Sequence, residues 1–208
     1  MSLKRSLHPE HVEDLRRSGL SDEAIKEADC ESIPPDLINR EIGNNPSIKS
    51  AYKIPYPGTD GFCRYKVFYH EGKGGPKYRQ PKASGNRLYI VEETRAVLGD
   101  PSIPIYFTEG EKKTLKACQE GLYCVGLSGL WNWSNGNKEL IPDFDLIAFK
   151  DREVFIVPDN DWQDLNKHGY PKNLERAVKE FAYKLMEKGA RVFIIQLPKE
   201  DDHYEDRT

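Results

Sequence analysis

Apolar and polar positions divide the chain into an amino-terminal part of short helical patterns and turn-bounded strands, and a part from about residue 101 to 198 in which continuous apolar runs alternate with helical spacing. The runs at 103–108, 122–127, 153–158 and 191–197 read as strands, the one at 153–158 continuous enough to be covered on both faces. Good helix formers from Glu111 to Cys118 follow the first run. A longer helix is predicted from Asn173 to Lys188, where Leu174, Val178, Phe181, Ala182 and Leu185 recur at spacings of three and four and Gly189 stands at the carboxyl cap. The expected order β-α-β-α-β-α-β implies an α/β domain with a mostly parallel sheet, flanked by helices through right-handed crossovers.

Residues 1–48 read as three short helices: His8 to Ser18, Asp22 to Ala28 capped by Ser21, and one started by Pro34-Pro35. The second carries too many acids to face a phosphate backbone, so packing or partner docking is its expected role. Residues 49–100 read as a small β-rich region with strands at 51–55, 61–70 and 87–91, separated by glycine- and proline-rich turns. The accessory part is thus a smaller α+β region, and the tail 199–208 is polar enough to fray.

Composition narrows the class. With 208 residues, 38% hydrophobic and 31% charged, and no apolar run long enough for a bilayer or a cleavable signal, a cytoplasmic protein with no membrane role is expected. The cysteines at 30, 63, 118 and 124 form no Cys-x-x-Cys pair, and Cys118 and Cys124 read as small core residues. The pair His8 and His11 has no third ligand nearby in sequence and reads as surface.

The net charge of −3 argues against a dedicated basic nucleic-acid binder, yet the charge is uneven. Between Arg64 and Ile90 stand Arg64, Lys66, Lys73, Lys77, Arg79, Lys82 and Arg87 against the single acid Glu71, interleaved with Tyr65, Phe68, Tyr69, Tyr78 and Tyr89. Such a window suits single-stranded nucleic acid, with cations on phosphates and bases stacked on rings. The same pattern also suits a small sheet whose aromatics pack inward and whose cations are solvated. The glycine-rich loop at 71–76 lacks the Gly-Lys-Ser/Thr ending of a nucleotide-binding P-loop.

Candidate chemistry lies where two strands end. Glu109 follows the first run, and Asp159 and Asp161 follow the third, so all three carboxylates are expected at the carboxyl edge of the sheet, where open α/β folds hold ligands. Like charges two residues apart at a strand end call for a cation between them. Mg²⁺ or Mn²⁺ fits, since a small hard ion takes one or two carboxylates, waters and substrate phosphate. Glu109 is then a candidate general base or ligand of a second ion, Lys112 and Lys113 candidate phosphate contacts, and Asn132 in Trp131-Asn132-Trp133 a candidate pocket residue. Capping and backbone hydrogen bonds are the alternative use of the same acids.

The stretches from Ile105 to Lys113, Gly126 to Trp133 and Val154 to Asp161 together resemble a TOPRIM domain, the catalytic fold of topoisomerases and bacterial-type primases, and more closely the TOPRIM-like domain of phage- and plasmid-type DNA primases or primase-helicases. The resemblance implies that Glu109 matches the TOPRIM glutamate and Asp159 and Asp161 its Asp-x-Asp pair. It also implies a Rossmannoid fold, Mg-dependent nucleotidyl transfer, single-stranded DNA and nucleotides as substrates, and a helicase or other replication protein as partner. The chain departs from that pattern in carrying neither the zinc ribbon of bacterial replicative primases nor a helicase part. Template contact then falls to Arg64, Lys66, Lys77, Arg79, Lys82 and Arg87 or to another polypeptide. A metal-dependent nuclease or nicking enzyme on the same scaffold, and a noncatalytic nucleic-acid-binding replisome module, remain as alternatives; an Asp-x-Asp phosphatase fits poorly, because its pair follows the first strand.

Overall fold

The structure is a computed structural model that describes residues 6–160, 164–165 and 173–198. The expectations for Asp161 and for the tail 199–208 lie outside the described residues. The chain forms two sheets. The larger contains β5 (Tyr89–Ile90), β6 (Ile105–Glu109), β7 (Cys124–Leu127), β8 (Glu153–Val157) and β9 (Arg191–Ile194), in the order β5-β7-β6-β8-β9. Strands β7, β6, β8 and β9 are mutually parallel, and β5 adds an antiparallel edge. This is the mostly parallel α/β sheet that the alternation of apolar runs predicts.

Residues alternate between faces along a strand, and here one face is the core. Ile105 and Phe107 of β6 and Val154 and Ile156 of β8 are buried with Ala177, Val178, Phe181, Ala182 and Leu185 of α6 (Leu174–Glu187). Phe107 meets Phe181 edge-on at 5.3 Å between ring centroids, and Trp133 stacks on Phe181 at 6.1 Å. Gly189, at φ +90, ends the helix in the left-handed conformation that favours glycine.

On the other face, α5 (Glu111–Gln119) lies against β7 so closely that a Cβ at Gly126 would stand 2.4 Å from Thr114 Oγ1. Beyond that contact the face carries a ring ladder, Tyr106 on Phe155 at 4.9 Å and Phe155 on Phe193 at 5.1 Å.

The link between β7 and β8 differs from expectation. Among the described residues its helical part is a single 3-10 segment, Pro142–Leu146, in place of an α-helix. Pro142 at its start and the run Trp131-Asn132-Trp133-Ser134-Asn135-Gly136 before it deny it the amphipathic spacing of a helix. The start of β8 is fixed instead by Arg152, fully buried, whose guanidinium donates to the carbonyls of Leu98 (2.8 Å), Val97 (2.8 Å) and Asp100 after α4 (Glu92–Ala96). Burial of the cation pulls its pKa down.

The smaller sheet is an antiparallel meander of β1 (Glu31–Ser32), β2 (Ile48–Pro55), β3 (Cys63–Tyr69) and β4 (Tyr78–Arg79). Helices α1 (Pro9–Arg16) and α2 (Asp22–Glu27) and the link between them cover one face through Leu15, Ile25 and Leu20, packed with Tyr52, Ile54 and, just past β2, Tyr56. Helix α3 (Pro35–Ile42) covers the other through Ile38, beside Ile48, Ala51 and Val67. All three helices stand where the caps predict, and Ser21 Oγ accepts the Ala24 amide at 3.2 Å.

Two expectations are corrected here. The strand expected at 87–91 shortens to β5 and joins the larger sheet, because Leu88 and Ile90 belong to the apolar core around Val125. The surface reading of the histidine pair fails for His11, which is 2% exposed and seated between Ser32 Oγ (2.6 Å) and Ser50 Oγ (3.2 Å), stacked on Phe68. Burial pulls its pKa down.

Candidate active site at the carboxyl edge of the parallel sheet

Strand register brings the first two candidate acids to one edge. Thr108 stands opposite Val157 and Glu109 opposite Leu127. Glu109 therefore ends β6 at the level of Pro158, and Asp159 follows one residue further along the neighbouring strand's path. Adjacent strands lie about 4.8 Å apart, so both carboxylates belong to the same rim. Thr108 Oγ1 donates to the Val157 carbonyl at 3.1 Å and ties the two strand ends together. Gly110 turns the chain into α5 at φ +88 and ψ 150, a conformation open to glycine, with its amide on the Leu127 carbonyl at 2.7 Å.

The first turn of α5 sends three consecutive side chains in three directions. Glu111, 1% exposed, accepts from Arg64 Nη1 at 2.6 Å and from the Tyr56 hydroxyl at 2.7 Å. Burial opposes the Arg64 charge, but the adjacent Glu111 carboxylate and the Tyr56 hydroxyl together outweigh it and raise the Arg64 pKa. Burial and the same carboxylate push the Tyr56 pKa up. Lys112 turns to Asp14 of α1 at 3.1 Å, where Asp14 also accepts the Tyr52 hydroxyl at 2.8 Å. Burial pushes the Asp14 carboxyl up, yet these two donors hold it below the usual carboxylate value. Lys113 alone of the three turns toward the rim, where its ammonium donates to Asp159 Oδ1.

The candidate residues thus separate. Glu109 and Asp159 stand at the ends of adjacent strands and Lys113 reaches Asp159, while Lys112 faces the amino-terminal helix and is committed to Asp14. Asn132 lies in the loop after β7, past the strand end opposite Glu109, and donates to Ser128 Oγ at 2.9 Å. Trp133 beside it is 1% exposed in the core, whereas Trp131 is 38% exposed.

The proposed nucleic-acid set also separates. Arg64 is spent on Glu111, and Lys66, 9% exposed, lies over the Tyr78 and Phe68 rings at 5.0 and 5.5 Å, with burial pulling its pKa down. Arg87 binds Asp143 at 3.0 Å, and Arg79 reaches the Ile42 carbonyl at 3.4 Å. Lys77 and Lys82 are exposed and make no ion pair among the described residues. Of the interleaved rings, Tyr65 and Tyr89 are 4% and 1% exposed, so the inward-packing alternative holds for them.

The interior partners Glu111, Tyr56, Asp14 and Tyr52 escaped the sequence reading. A glutamate at the first position of a helix is ordinary, and no local signal separates a buried one from a solvated one.

The donor set suits a small hard cation. A carboxylate from each of two adjacent strand ends provides the oxygen ligands that Mg²⁺ takes, and Asp159 already draws a cation in the form of Lys113. Among the described residues no group of three or more His, Cys, Asp or Glu side chains is close enough to hold an ion, and Asp161 is outside them.

Comparison with solved structures supports the fold. The chain is similar to the Aquifex aeolicus primase crystallised as its zinc-binding and RNA polymerase domains, with 16% identity and a TM-score of 0.60 over 94% of this chain and 51% of that one. It is also similar to the DnaG catalytic core, with 18% identity and a TM-score of 0.57 over 97% of this chain and 68% of that one. The chain therefore spans about half the length of the Aquifex primase structure it matches. No curated protein matches its sequence. A family profile matches residues 95–205, from α4 across β6, β7, β8 and β9, so the chain belongs to the family described as a domain of unknown function, DUF3854.

Proposed function

We propose that the chain is the TOPRIM-like part of a phage- or plasmid-type replication protein and carries out Mg²⁺-dependent nucleotidyl transfer of the DNA-primase type in the cytoplasm. The supporting observation is the position of Glu109 and Asp159 at adjacent parallel strand ends, with Lys113 paired to Asp159. In this reading Glu109, Asp159 and Asp161 hold Mg²⁺ or Mn²⁺, which when bound polarises phosphoryl oxygens and lowers the cost of developing negative charge. Glu109 accepts a proton from an attacking 3′-hydroxyl, or serves as a further ligand. Lys113 leaves Asp159 to meet an incoming nucleotide's phosphate, and Asn132 borders the same rim. The fold similarity to primase cores agrees with this chemistry, which at such low identity rests on the residues of the rim.

Single-stranded DNA would approach along the exposed cations Lys77 and Lys82, with Arg79 and Arg87 at their sides. Arg64, Lys66 and Lys112 leave the binding set: Arg64 and Lys112 tie the amino-terminal part to α5, and Lys66 packs over rings within the smaller sheet. A helicase or another replication protein would supply unwinding.

The test is nucleotide incorporation on a single-stranded template with Mg²⁺ or Mn²⁺, comparing the native chain with Asp159→Ala and Glu109→Gln. Loss of activity in Asp159→Ala and a drop of about 10²- to 10⁴-fold in Glu109→Gln are expected, with unchanged circular dichroism. Equal rates in native and Asp159→Ala protein refute the proposal. Cleavage of labelled DNA without nucleotides points to a nuclease. DNA binding that survives both changes, without either activity, points to a noncatalytic module.

A further inference from the structure

A groove of about 780 Å³ opens on the far side of the molecule from the acidic rim. Leu122 and Tyr123, which lead into β7, line it, whereas Leu127 at the other end of β7 stands opposite Glu109. The walls come from α2, the start of α4 and the carboxyl half of α5, so elements of both sheets' layers build it.

Its chemistry is one-sided. Glu23 and Glu27 stand on the α2 wall and Glu92 and Glu93 on the α4 wall, all exposed. None of the four makes an ion pair among the described residues, and no Lys, Arg or His lines the groove. Between these walls the surface is apolar: Val91, Leu115 and Tyr89 below, with Leu122 and Tyr123 at 39% and 36% exposed.

Carboxylates on facing walls repel one another and any phosphate backbone, which excludes DNA or RNA as the occupant. A small metabolite needs a few convergent polar groups to fix its orientation. Here the charges are spread along two rims instead. The complement of such a surface is an elongated chain with cations on both flanks and large apolar side chains between them.

We propose that this groove is a docking site for a basic, amphipathic segment of a partner protein, with Lys or Arg against Glu23, Glu27, Glu92 and Glu93 and apolar side chains on the floor. The partner's segment sits at the opposite end of β7 from Glu109, so it can be held while the rim is in use. Exposed charge pairs are screened by salt, so docking weakens as ionic strength rises.

The test uses a fluorescein-labelled synthetic peptide of about a dozen residues, Leu at helical spacing and Lys elsewhere, followed by fluorescence anisotropy with the full chain. A Lys/Gly peptide of equal charge and a Glu/Leu peptide of equal pattern serve as comparison probes. The Lys/Leu peptide is expected to bind about tenfold more tightly than the Lys/Gly peptide, and the Glu/Leu peptide not at all. Glu92→Lys/Glu93→Lys and, separately, Tyr123→Ser should each weaken it about tenfold or more. The exposed pair Asp60→Lys/Glu71→Lys, outside the groove, should leave it within about twofold. All are surface changes, and circular dichroism checks the fold.

Equal loss in Asp60→Lys/Glu71→Lys, equal affinity for the Lys/Gly peptide, or unaltered binding by the groove variants overturns the proposal. So does an absence of peptide binding combined with a concentration-dependent dimer that Glu92→Lys/Glu93→Lys abolishes, which makes a second copy the occupant. Nucleotide incorporation is read in parallel and is expected to be unchanged by the groove variants. Its absence in native protein would refute the proposed reaction and leave the docking result standing.

Discussion

Replacing Arg64 by Met separates a cation that grips DNA from one that holds the fold. The Arg64 and Glu111 side chains are 11% and 1% exposed and 2.6 Å apart. At an effective dielectric constant of about 20, that separation gives an attraction of roughly 6 kcal/mol. Desolvation of the two charges costs several kcal/mol each, so the net contribution of the intact pair is small. Removing one partner is different, because Glu111 then remains interior without its cation, with Oε2 already lacking a hydrogen-bond partner. Stranding a buried charge costs about 3–5 kcal/mol, and the Tyr56 hydroxyl that stays on Oε1 puts Arg64→Met toward the lower end. Native domains hold about 5–15 kcal/mol in all, so the variant should lose a large share of its stability.

Urea unfolding followed by circular dichroism should show the midpoint falling by about 1–3 M for a slope of about 1–3 kcal/mol per molar urea. Arg64→Met/Glu111→Leu removes both charges and should recover most of the loss, so the two changes are strongly non-additive. A single variant within about 0.5 kcal/mol of native refutes the reasoning, since that is the range of ordinary surface changes. In contrast, Lys77→Ala/Lys82→Ala should stay within that range and lower the salt-dependent affinity for single-stranded DNA.

Gly110→Ala meets no atom within 4 Å of the added Cβ but must hold φ +88 and ψ 150, so backbone strain of about 1–3 kcal/mol is expected in urea unfolding, along with slower nucleotide incorporation as Glu109 shifts. Gly126→Ala forces a Cβ to within 2.4 Å of Thr114 Oγ1 and should cost about 1–3 kcal/mol, with Thr114→Ala partly restoring the midpoint; full stability of the single variant refutes the close approach. The His11 imidazole has a folded pKa below its usual value, so the unfolded chain binds the proton first as pH falls. The stability gained by keeping His11 neutral is present above about pH 6.5 and declines below it toward the folded pKa. His11→Gln should flatten the stability profile in that window.

Much of the larger sheet was legible because its strands are continuous apolar runs bounded by turns, although the run of β9, at the sheet edge, leaves Phe193 and Ile194 exposed. The length of α6 was legible from periodicity, as Leu174, Val178, Phe181 and Leu185 fix one face over the whole helix. The placement of Glu109 and Asp159 at neighbouring strand ends needed only the knowledge that both strands run parallel and end at one edge. What stayed hidden is the pairing of distant side chains. Whether Arg64 faces solvent or Glu111 depends on how β3 is set against the first turn of α5, and the residues are 47 apart in sequence. His11 is the same case, since its seat is made by Ser32 and Ser50 on β1 and β2. Strand β5 was assigned to the wrong sheet because two residues carry no periodicity, and only the apolar contacts of Leu88 and Ile90 decide where they pair.

That short strand also sets where the chain can be cut. The family match starts at residue 95, downstream of β5. A piece trimmed to that boundary would bare the outer flank of β7, with the amide and carbonyl groups of Val125 and Gly126 robbed of the neighbours opposite them, Ile90 and Tyr89. Unpaired sheet margins invite pairing with other chains, so such a piece would be prone to self-association. The amino-terminal region thereby supplies the strand that covers this flank of the larger sheet.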